Sequence, residues 1–138
     1  MNAEENVQKI RDAYQLWNDS RADSIGQWLD LFADDVQFKS IADGAPGMEF
    51  TKTRNSKQDL IGYFTDLASE WSMIHFTADE FVADGDRVIM IGNCGWKHQR
   101  TGKEVETPKV DIMRLKDGKI IEFFELYDTA KAIAAATD

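Results

Sequence analysis

The sequence predicts one α+β domain in which three helices precede an antiparallel meander of strands. In the first half of the 138-residue chain, apolar residues recur at the spacing of helix faces. From about residue 74 the apolar period changes to two, and short Gly-containing turns separate the runs, which is typical of hairpins. No repeat, linker or low-complexity tract interrupts this order, so residues 1–138 are predicted to form a single domain.

Three segments show the apolar stripe of an amphipathic helix. The first is predicted at about Glu4–Asn18, and the second begins between residues 20 and 24 and ends before residue 34. Ser56, with Asp59 three residues later, resembles a capping box and opens the third helix. The predicted buried faces are Val7, Ile10, Tyr14 and Trp17; then Ile25, Trp28, Leu29 and Phe32; then Leu60, Phe64, Leu67 and Trp71.

Strands follow from alternation and turn chemistry. A short strand is predicted at Val36–Phe38, and the aperiodic segment Ile41–Asn55 is predicted to be a loop. After the third helix, Gly-containing turns separate four longer strands, and Asp128 is predicted to cap a short alanine-rich helix at the end of the chain. These strands are expected at about residues 74–83, 87–98, 104–115 and 119–127.

Two carboxylates lie among the apolar residues of the last hairpin. Because side chains alternate along a strand, Asp111 and Glu125 can share one inward face. Two carboxyls held close together at low dielectric cannot both ionise cheaply, so one is expected to hold a proton and act as a general acid. The alternatives are a solvated pair at a cavity mouth and an ion pair with Lys109, two residues along the same face.

Three further inward residues bear on this pair. Lys109 is expected to pair with a carboxylate rather than to act as a base or amine nucleophile, and such pairing would keep Asp111 ionised. The hydroxyl of Tyr14 has three possible partners: a substrate carbonyl, Asp111 or water. Cys94 is interpreted as a small residue lining a cavity.

Composition excludes several classes of function. The net charge of −9, without a basic cluster interleaved with aromatics, argues against nucleic acid and anionic membranes as partners. The first residues lack the basic flank and apolar core of a signal peptide, and no apolar run reaches about 20 residues, so neither a signal peptide nor a membrane span is expected. Cys94 is the only cysteine, which indicates a reducing, cytoplasmic compartment. His75 and His98 match no metal template, and no phosphate loop appears, so neither a metal nor a cofactor is predicted.

The opposite face of the predicted sheet is also apolar. Val110, Ile112, Phe124 and Leu126 share the outward parity of the last hairpin. Three helices cannot cover both faces of such a sheet, and an apolar face of this size is rarely left in water. The sequence therefore predicts a symmetric homodimer through the outer sheet face.

Two motifs carry a resemblance to a known family. The order of elements, with Leu31-Phe-Ala-Asp-Asp-Val36 between helix and strand and Asp117-Gly-Lys-Ile120 in the last hairpin, resembles the NTF2-like superfamily over nearly the whole chain. Within it, the chain is most similar to SnoaL-like and ketosteroid-isomerase-related proteins. The resemblance implies an NTF2-like cone, with three N-terminal helices packed in the concave face of a strongly curved antiparallel (mixed) sheet around a cavity.

The family's functional positions carry over one at a time. Tyr14 and Asp111 fall where ketosteroid isomerases keep their oxyanion-hole pair, a case in which the aspartic acid is protonated. Their general base corresponds to Ser40, which cannot act as a carboxylate base. Glu125 falls where SnoaL-type cyclases and limonene-epoxide hydrolases keep a catalytic acid. None of the three catalytic sets is complete in this chain.

The expected function is that of a cofactor-independent acid/base enzyme, isomerase- or cyclase-like, acting on a small, mostly apolar carbonyl compound. Asp111, Glu125 and Tyr14 are the predicted catalytic residues. Two other functions stay open, a non-catalytic small-molecule-binding module and a dimeric assembly domain. The predicted substrate-binding residues are Trp28, Ser40, Phe64, Cys94, Trp96, Lys109, Met113, Phe123 and Tyr127.

Overall fold

In a computed structural model, residues 3–138 are described and form four α-helices packed on a five-stranded mixed sheet. The sheet is curled and does not close into a barrel, and the arrangement is the predicted α+β fold. The helices are α1 (Ala3–Asp19), α2 (Ile25–Leu31), α3 (Lys57–Glu70) and α4 (Thr129–Ala135), with a 3₁₀ turn at Glu49–Thr51. The strands are β1 (Phe32–Ser40), β2 (Trp71–Asp84), β3 (Arg87–His98), β4 (Glu104–Lys116) and β5 (Lys119–Tyr127).

The strand order is β1-β5-β4-β3-β2. Strands β2 to β5 form the predicted antiparallel meander, whereas β1 runs parallel to β5 at one edge. At the turn of the last hairpin, Asp117 and Gly118 both have positive φ, as a two-residue type I′ turn requires. The bounds predicted for β3 and β5 agree with the structure. Glycines with positive φ mark the turns beside them, Gly85 and Gly102 on either side of β3 and Gly118 before β5.

Strand β2 bends the sheet. Its pairing with β3 shifts register between Met73 and His75 and again between Ala78 and Glu80. Such bulges increase local twist and curvature. Next to the second bulge, Gly92 of β3 lies so close to β2 that an added Cβ would stand 2.0 Å from the carbonyl oxygen of Thr77. Only glycine permits this approach of the two backbones at Gly92.

Each helix begins within one residue of its predicted start, and most residues of the predicted stripes are buried. The Ser56 side chain accepts a hydrogen bond from the backbone N–H of Asp59, and Asp128 accepts one from the backbone N–H of Lys131. Helix α1 packs against β2, and α3 packs against β1. Ile10 of α1 is fully buried, so the helices supply the inner layer of the core.

The structure corrects the predicted boundaries at two aromatic residues. Phe32 was predicted on the second helix but begins β1, so α2 is only seven residues long and β1 is far longer than Val36–Phe38. Trp71 was predicted on the third helix but begins β2, where it pairs with His98. In both cases a buried aromatic continues the apolar stripe of the helix, while its backbone is extended and joins the sheet. Tertiary pairing overrides local periodicity there.

The segment Ile41–Asn55 is less irregular than predicted. It contains the 3₁₀ turn, and Arg54 forms an isolated bridge with Phe38 through two backbone hydrogen bonds. The buried Arg54 guanidinium also donates to the carbonyl oxygens of Phe50 and Asp59. The segment is thereby attached to both β1 and α3. Among residues 3–138, no helix is long and apolar enough to cross a membrane.

Candidate functional site

Asp111 and Glu125 face each other inside the fold. They are direct partners across β4 and β5, and both side chains point to the inner face of the sheet. Asp111 is 1% exposed and Glu125 is 5% exposed. Ionisable groups this deeply buried require partners or a function. The hairpin brings the two predicted carboxylates together.

Lys109 lies between the two carboxylates. Its ammonium Nζ is 2.6 Å from Asp111 Oδ1 and 3.1 Å from Glu125 Oε1, so it forms an ion pair with each. We call these three residues the acid–lysine cluster. Within residues 3–138, the ion pairs of Asp111 and Glu125 are those with Lys109. The cluster therefore contains one carboxylate more than it has cations.

Two tyrosine hydroxyls complete the cluster. Tyr14 of α1 donates to Asp111 Oδ2 at 2.5 Å. Tyr63 of α3 lies 3.0 Å from both oxygens of Glu125 and shares its single proton between them. Tyr63 was not predicted, although it lies on the buried side of α3 beside Phe64. The apolar stripe could have indicated its burial, but nothing in the sequence links it to a residue 62 positions away.

These contacts bear on the predicted oxyanion-hole role of Tyr14 and Asp111. The hydroxyl proton of Tyr14 is already donated to Asp111, so it is not free for a substrate oxygen. Both oxygens of Asp111 are also occupied, one by an ammonium and the other by a hydroxyl. Pairing with Lys109 stabilises the ionised carboxylate. The arrangement thus differs from a protonated aspartic acid that donates beside a free tyrosine.

Burial and neighbouring charges shift the pKa values of Asp111, Lys109 and the two tyrosines. Burial raises the pKa of Asp111, an effect that Lys109 opposes and the charge of Glu125 reinforces. Burial alone would lower the pKa of Lys109, but the two carboxylates prevail and raise it, so the lysine stays an ammonium. Burial, followed by the neighbouring carboxylates, raises the pKa values of Tyr14 and Tyr63. The tyrosines therefore keep their protons and act as hydrogen-bond donors.

An aromatic cavity of about 100 Å³ adjoins the cluster. Phe38 and Phe123 stack with ring centroids 4.9 Å apart, and the edge of Tyr14 meets Trp28 at the same distance. Of the predicted substrate-binding residues, those that line the cavity are Trp28, Phe64, Cys94, Trp96, Lys109, Phe123 and Tyr127. We call this space the inner cavity.

Two predicted substrate-binding residues lie outside this lining. Met113 is fully buried in the core. Ser40 lies within hydrogen-bonding distance of Tyr127, with the two hydroxyl oxygens 2.8 Å apart, so it contacts a lining residue and not the cavity itself. Cys94 does line the cavity, and burial raises the pKa of its thiol to about 11. That thiol is protonated at neutral pH and is a poor nucleophile.

Comparison with known proteins identifies the fold. The chain is similar to an NTF2-like protein of unknown function from Burkholderia pseudomallei K96243, with 22% identity, full coverage of both chains and a TM-score of 0.85. It is also similar to a protein of ketosteroid isomerase-like fold from Catenulispora acidiphila DSM 44928, solved with trimethylamine, with 16% identity, 93% and 91% coverage and a TM-score of 0.74. A SnoaL-like polyketide cyclase candidate from Mesorhizobium loti has 18% identity, 88% and 97% coverage and a TM-score of 0.72.

Sequence comparison assigns the family. A search of curated proteins found no match. The structural likenesses above are all below 25% identity, so they bear on the fold alone. The SnoaL-like domain profile, however, matches residues 10–123, which is most of the chain and includes Tyr14, Tyr63, Lys109 and Asp111. The predicted NTF2-like, SnoaL-like resemblance is confirmed, and the chain belongs to the SnoaL-like domain family.

Proposed function

We propose that the chain is a cofactor-independent acid/base enzyme acting on a small, mostly apolar carbonyl compound in the inner cavity. The observation that carries this proposal is the acid–lysine cluster, two carboxylates around one ammonium inside an aromatic wall. Burying such charges costs several kcal/mol per ion before pairing, and apolar residues of similar volume often stabilise a fold as well or better. Buried, perturbed ionisable groups beside a cavity are therefore candidates for chemistry.

Glu125 is the proposed general base. Both oxygens of Asp111 have a partner of their own, whereas Glu125 receives one shared tyrosine proton and a longer contact to the ammonium. The Glu125 side chain is also more exposed, at 7% against 2% for Asp111. Glu125 thus retains more capacity to accept a proton from a bound molecule.

Lys109 is the proposed oxyanion stabiliser in place of Tyr14. An ammonium has three N–H donors, and the two carboxylates account for two of them. The third can donate to a substrate carbonyl oxygen, on which charge develops as the neighbouring carbon loses its proton. Asp111 and Tyr14 are then positioning residues that hold the ammonium in place.

The proposed step is a reversible proton transfer. Glu125 removes a proton from the carbon next to the carbonyl, and the C–H electron pair forms the enolate, whose oxygen accepts a hydrogen bond from Lys109. Return of the proton from Glu125 to the same carbon regenerates the substrate, and return to a conjugated carbon gives an isomer. The cycle needs no oxidant, reductant or added group.

The test is hydrogen exchange at carbon. NMR would follow deuterium incorporation next to the carbonyl of cyclohexanone in D₂O with the protein present. Glu125→Gln should lower the protein-dependent rate by about 10²-fold or more, because the amide cannot accept the proton. Glu122→Gln is the matched control, since Glu122 is exposed on the same strand. Equal rates for the wild type and Glu125→Gln would remove Glu125 from the mechanism.

A second candidate is a small-molecule-binding module without chemistry. Two observations favour it: Lys109 already engages both carboxylates, and the inner cavity is smaller than typical pockets for drug-sized ligands, which exceed about 300 Å³. The trimethylamine bound to the similar Catenulispora acidiphila protein is in keeping with a small ligand. In this case Asp111→Asn would change ligand affinity, and no protein-dependent exchange at carbon would occur.

The proposed quaternary structure is a homodimer through the outer sheet face, in a cytoplasmic protein. Ile91 lies on β3 and Phe124 on β5, on either side of β4, and they are 36% and 37% exposed on the outer face of the sheet. Phe124→Glu would place a charge in the proposed interface, so sedimentation velocity should change from a dimer to a monomer. Ile41→Glu is the control, because Ile41 is 45% exposed but lies outside the strands. A wild-type monomer would refute the dimer. A dimer that gives no protein-dependent hydrogen exchange at carbon and binds no ligand would favour an assembly domain.

A further inference from the structure

A second cavity lies beside the inner one. It has a volume of about 300 Å³, compared with about 100 Å³ for the inner cavity. We call it the outer cavity. It is bordered by the turn between α1 and α2, the C-terminal part of α3, and the first residues of β2. The larger space is therefore next to the polar cluster rather than around it.

Five side chains line both cavities. They are Trp17, Phe64, Leu67, Trp71 and Trp96. The lining that the two cavities share thus consists of large apolar and aromatic residues. Leu67 and Trp96 are only half-buried, in contrast to Trp17, Phe64 and Trp71. These two side chains therefore have more freedom to move than the other three residues of the shared lining.

The outer cavity has no net charge at its rim. Arg21 and Asp23 lie on the same turn and bring one charge of each sign. The Arg21 guanidinium is engaged by Asn18, and the Gln99 side-chain amide donates to the carbonyl oxygens of Ala68 and Trp71. The exposed Asp23 carboxylate is opposite in charge to Arg21, so the rim has no excess charge of either sign. Most of the other residues in the lining are apolar, which favours an uncharged, largely apolar group.

We infer that the ligand of the inner cavity is an elongated, uncharged apolar carbonyl compound whose head reaches the acid–lysine cluster and whose tail fills the outer cavity. This inference rests on the proposed function, since it assumes that a carbonyl head binds beside Lys109 and Glu125. It adds the length and polarity of the tail. The inner cavity sets the chemistry, and the outer cavity selects among molecules by chain length.

The test is a chain-length series. Isothermal titration calorimetry would measure the binding of 2-butanone, 2-hexanone, 2-heptanone and 2-nonanone. If the tail enters the outer cavity, affinity should rise about fourfold per added methylene, because each buried methylene is stabilised by the hydrophobic effect. The rise should extend to 2-nonanone. An affinity that stops rising at the shortest ketones would overturn the inference while leaving the inner site intact.

A variant that fills the outer cavity provides the second arm. Ala68 is exposed, lines the outer cavity and does not line the inner one. Ala68→Trp should abolish the gain with chain length and leave 2-butanone binding within about twofold. Ala83→Trp, at an exposed position of β2 that lines neither cavity, should retain the gain. If circular dichroism shows that Ala68→Trp does not fold, Ser72→Trp fills the same cavity from β2.

The outcomes separate the two proposals. An equal loss of short and long ketones in Ala68→Trp would show that the outer cavity does not select by length, and would overturn the inference. If no ketone of any length binds the wild type, the carbonyl ligand of the proposed function is refuted, and the inference is refuted with it. Binding of 2-butanone without a chain-length gain refutes only the inference.

Discussion

Replacing Lys109 by Met should destabilise the protein strongly. Methionine keeps the length of the side chain but removes the ammonium that pairs with Asp111 and Glu125. Two buried carboxylates would then face each other across β4 and β5 without a cation. Breaking a buried ion pair by removing one partner costs about 3–5 kcal/mol. Because a domain of this size is stable by about 5–15 kcal/mol, the loss would be a large share of the total.

The cost should depend on pH in a defined direction. Burial and Glu125 already raise the pKa of Asp111, and the variant removes the opposing effect of Lys109, so that pKa rises further. A group whose pKa is raised in the folded state contributes stability that is fully present below its unfolded pKa and is lost as the pH rises through the folded pKa. The deficit of Lys109→Met relative to the wild type should therefore shrink as the pH falls from neutral towards the ordinary pKa of an aspartic acid.

Chemical denaturation at several pH values measures this directly, and thermal unfolding near neutral pH should show a loss of about 10–20 °C. Lys97→Met is the matched control on the exposed side of β3, expected within about 0.5 kcal/mol of the wild type. The triple variant Lys109→Met, Asp111→Asn, Glu125→Gln removes every charge of the cluster and should recover most of the loss. A deficit below about 1 kcal/mol for the single variant, or one that does not change with pH, would refute the reasoning.

Two other predictions concern the core. The pKa of about 11 for the Cys94 thiol lowers its thiolate fraction about 100-fold relative to an ordinary cysteine. Iodoacetamide should therefore label the folded protein at least about 100-fold more slowly than the protein unfolded in urea. Equal labelling rates would contradict this prediction. Gly92→Ala should destabilise by about 2 kcal/mol or more, because its Cβ would overlap the backbone of Thr77. Gly26→Ala is its control, since an added Cβ there meets nothing within 4 Å; a Gly92→Ala unfolding curve equal to that of the wild type would contradict the close approach.

The parts of the fold that the sequence predicts well are those with short-range causes. The last hairpin is set by alternation and an Asp-Gly turn, so its register follows once the turn is placed. That register is what brings Asp111 and Glu125 opposite each other. The Ser56 cap is equally local, because both of its hydrogen-bonding groups lie within four residues. For such features the chain has few alternative arrangements.

The parts that were not predicted depend on contacts between distant segments. The parallel pairing of β1 with β5 joins strands about 85 residues apart, such as Ser40 with Glu125, and no turn connects them. Asp34 and Asp35 also interrupt the alternation within β1, since both are exposed. Tyr63 was missed for a related reason, because helical periodicity identifies the buried side of α3 but not the residue it meets.

The site also fixes how the helices pack, and this affects every experiment on its function. Lys109 and Asp111 lie on the same strand, but Tyr14 and Tyr63 attach α1 and α3 to the two carboxylates through buried hydrogen bonds. A substitution that leaves one of these donors unsatisfied costs about 1–3 kcal/mol and can loosen a helix. Glu125→Gln keeps an oxygen that can accept from Tyr63 and keeps the side-chain shape, so it changes proton affinity with the least change in packing. It therefore separates chemistry from stability more cleanly than any change at Lys109 or Asp111.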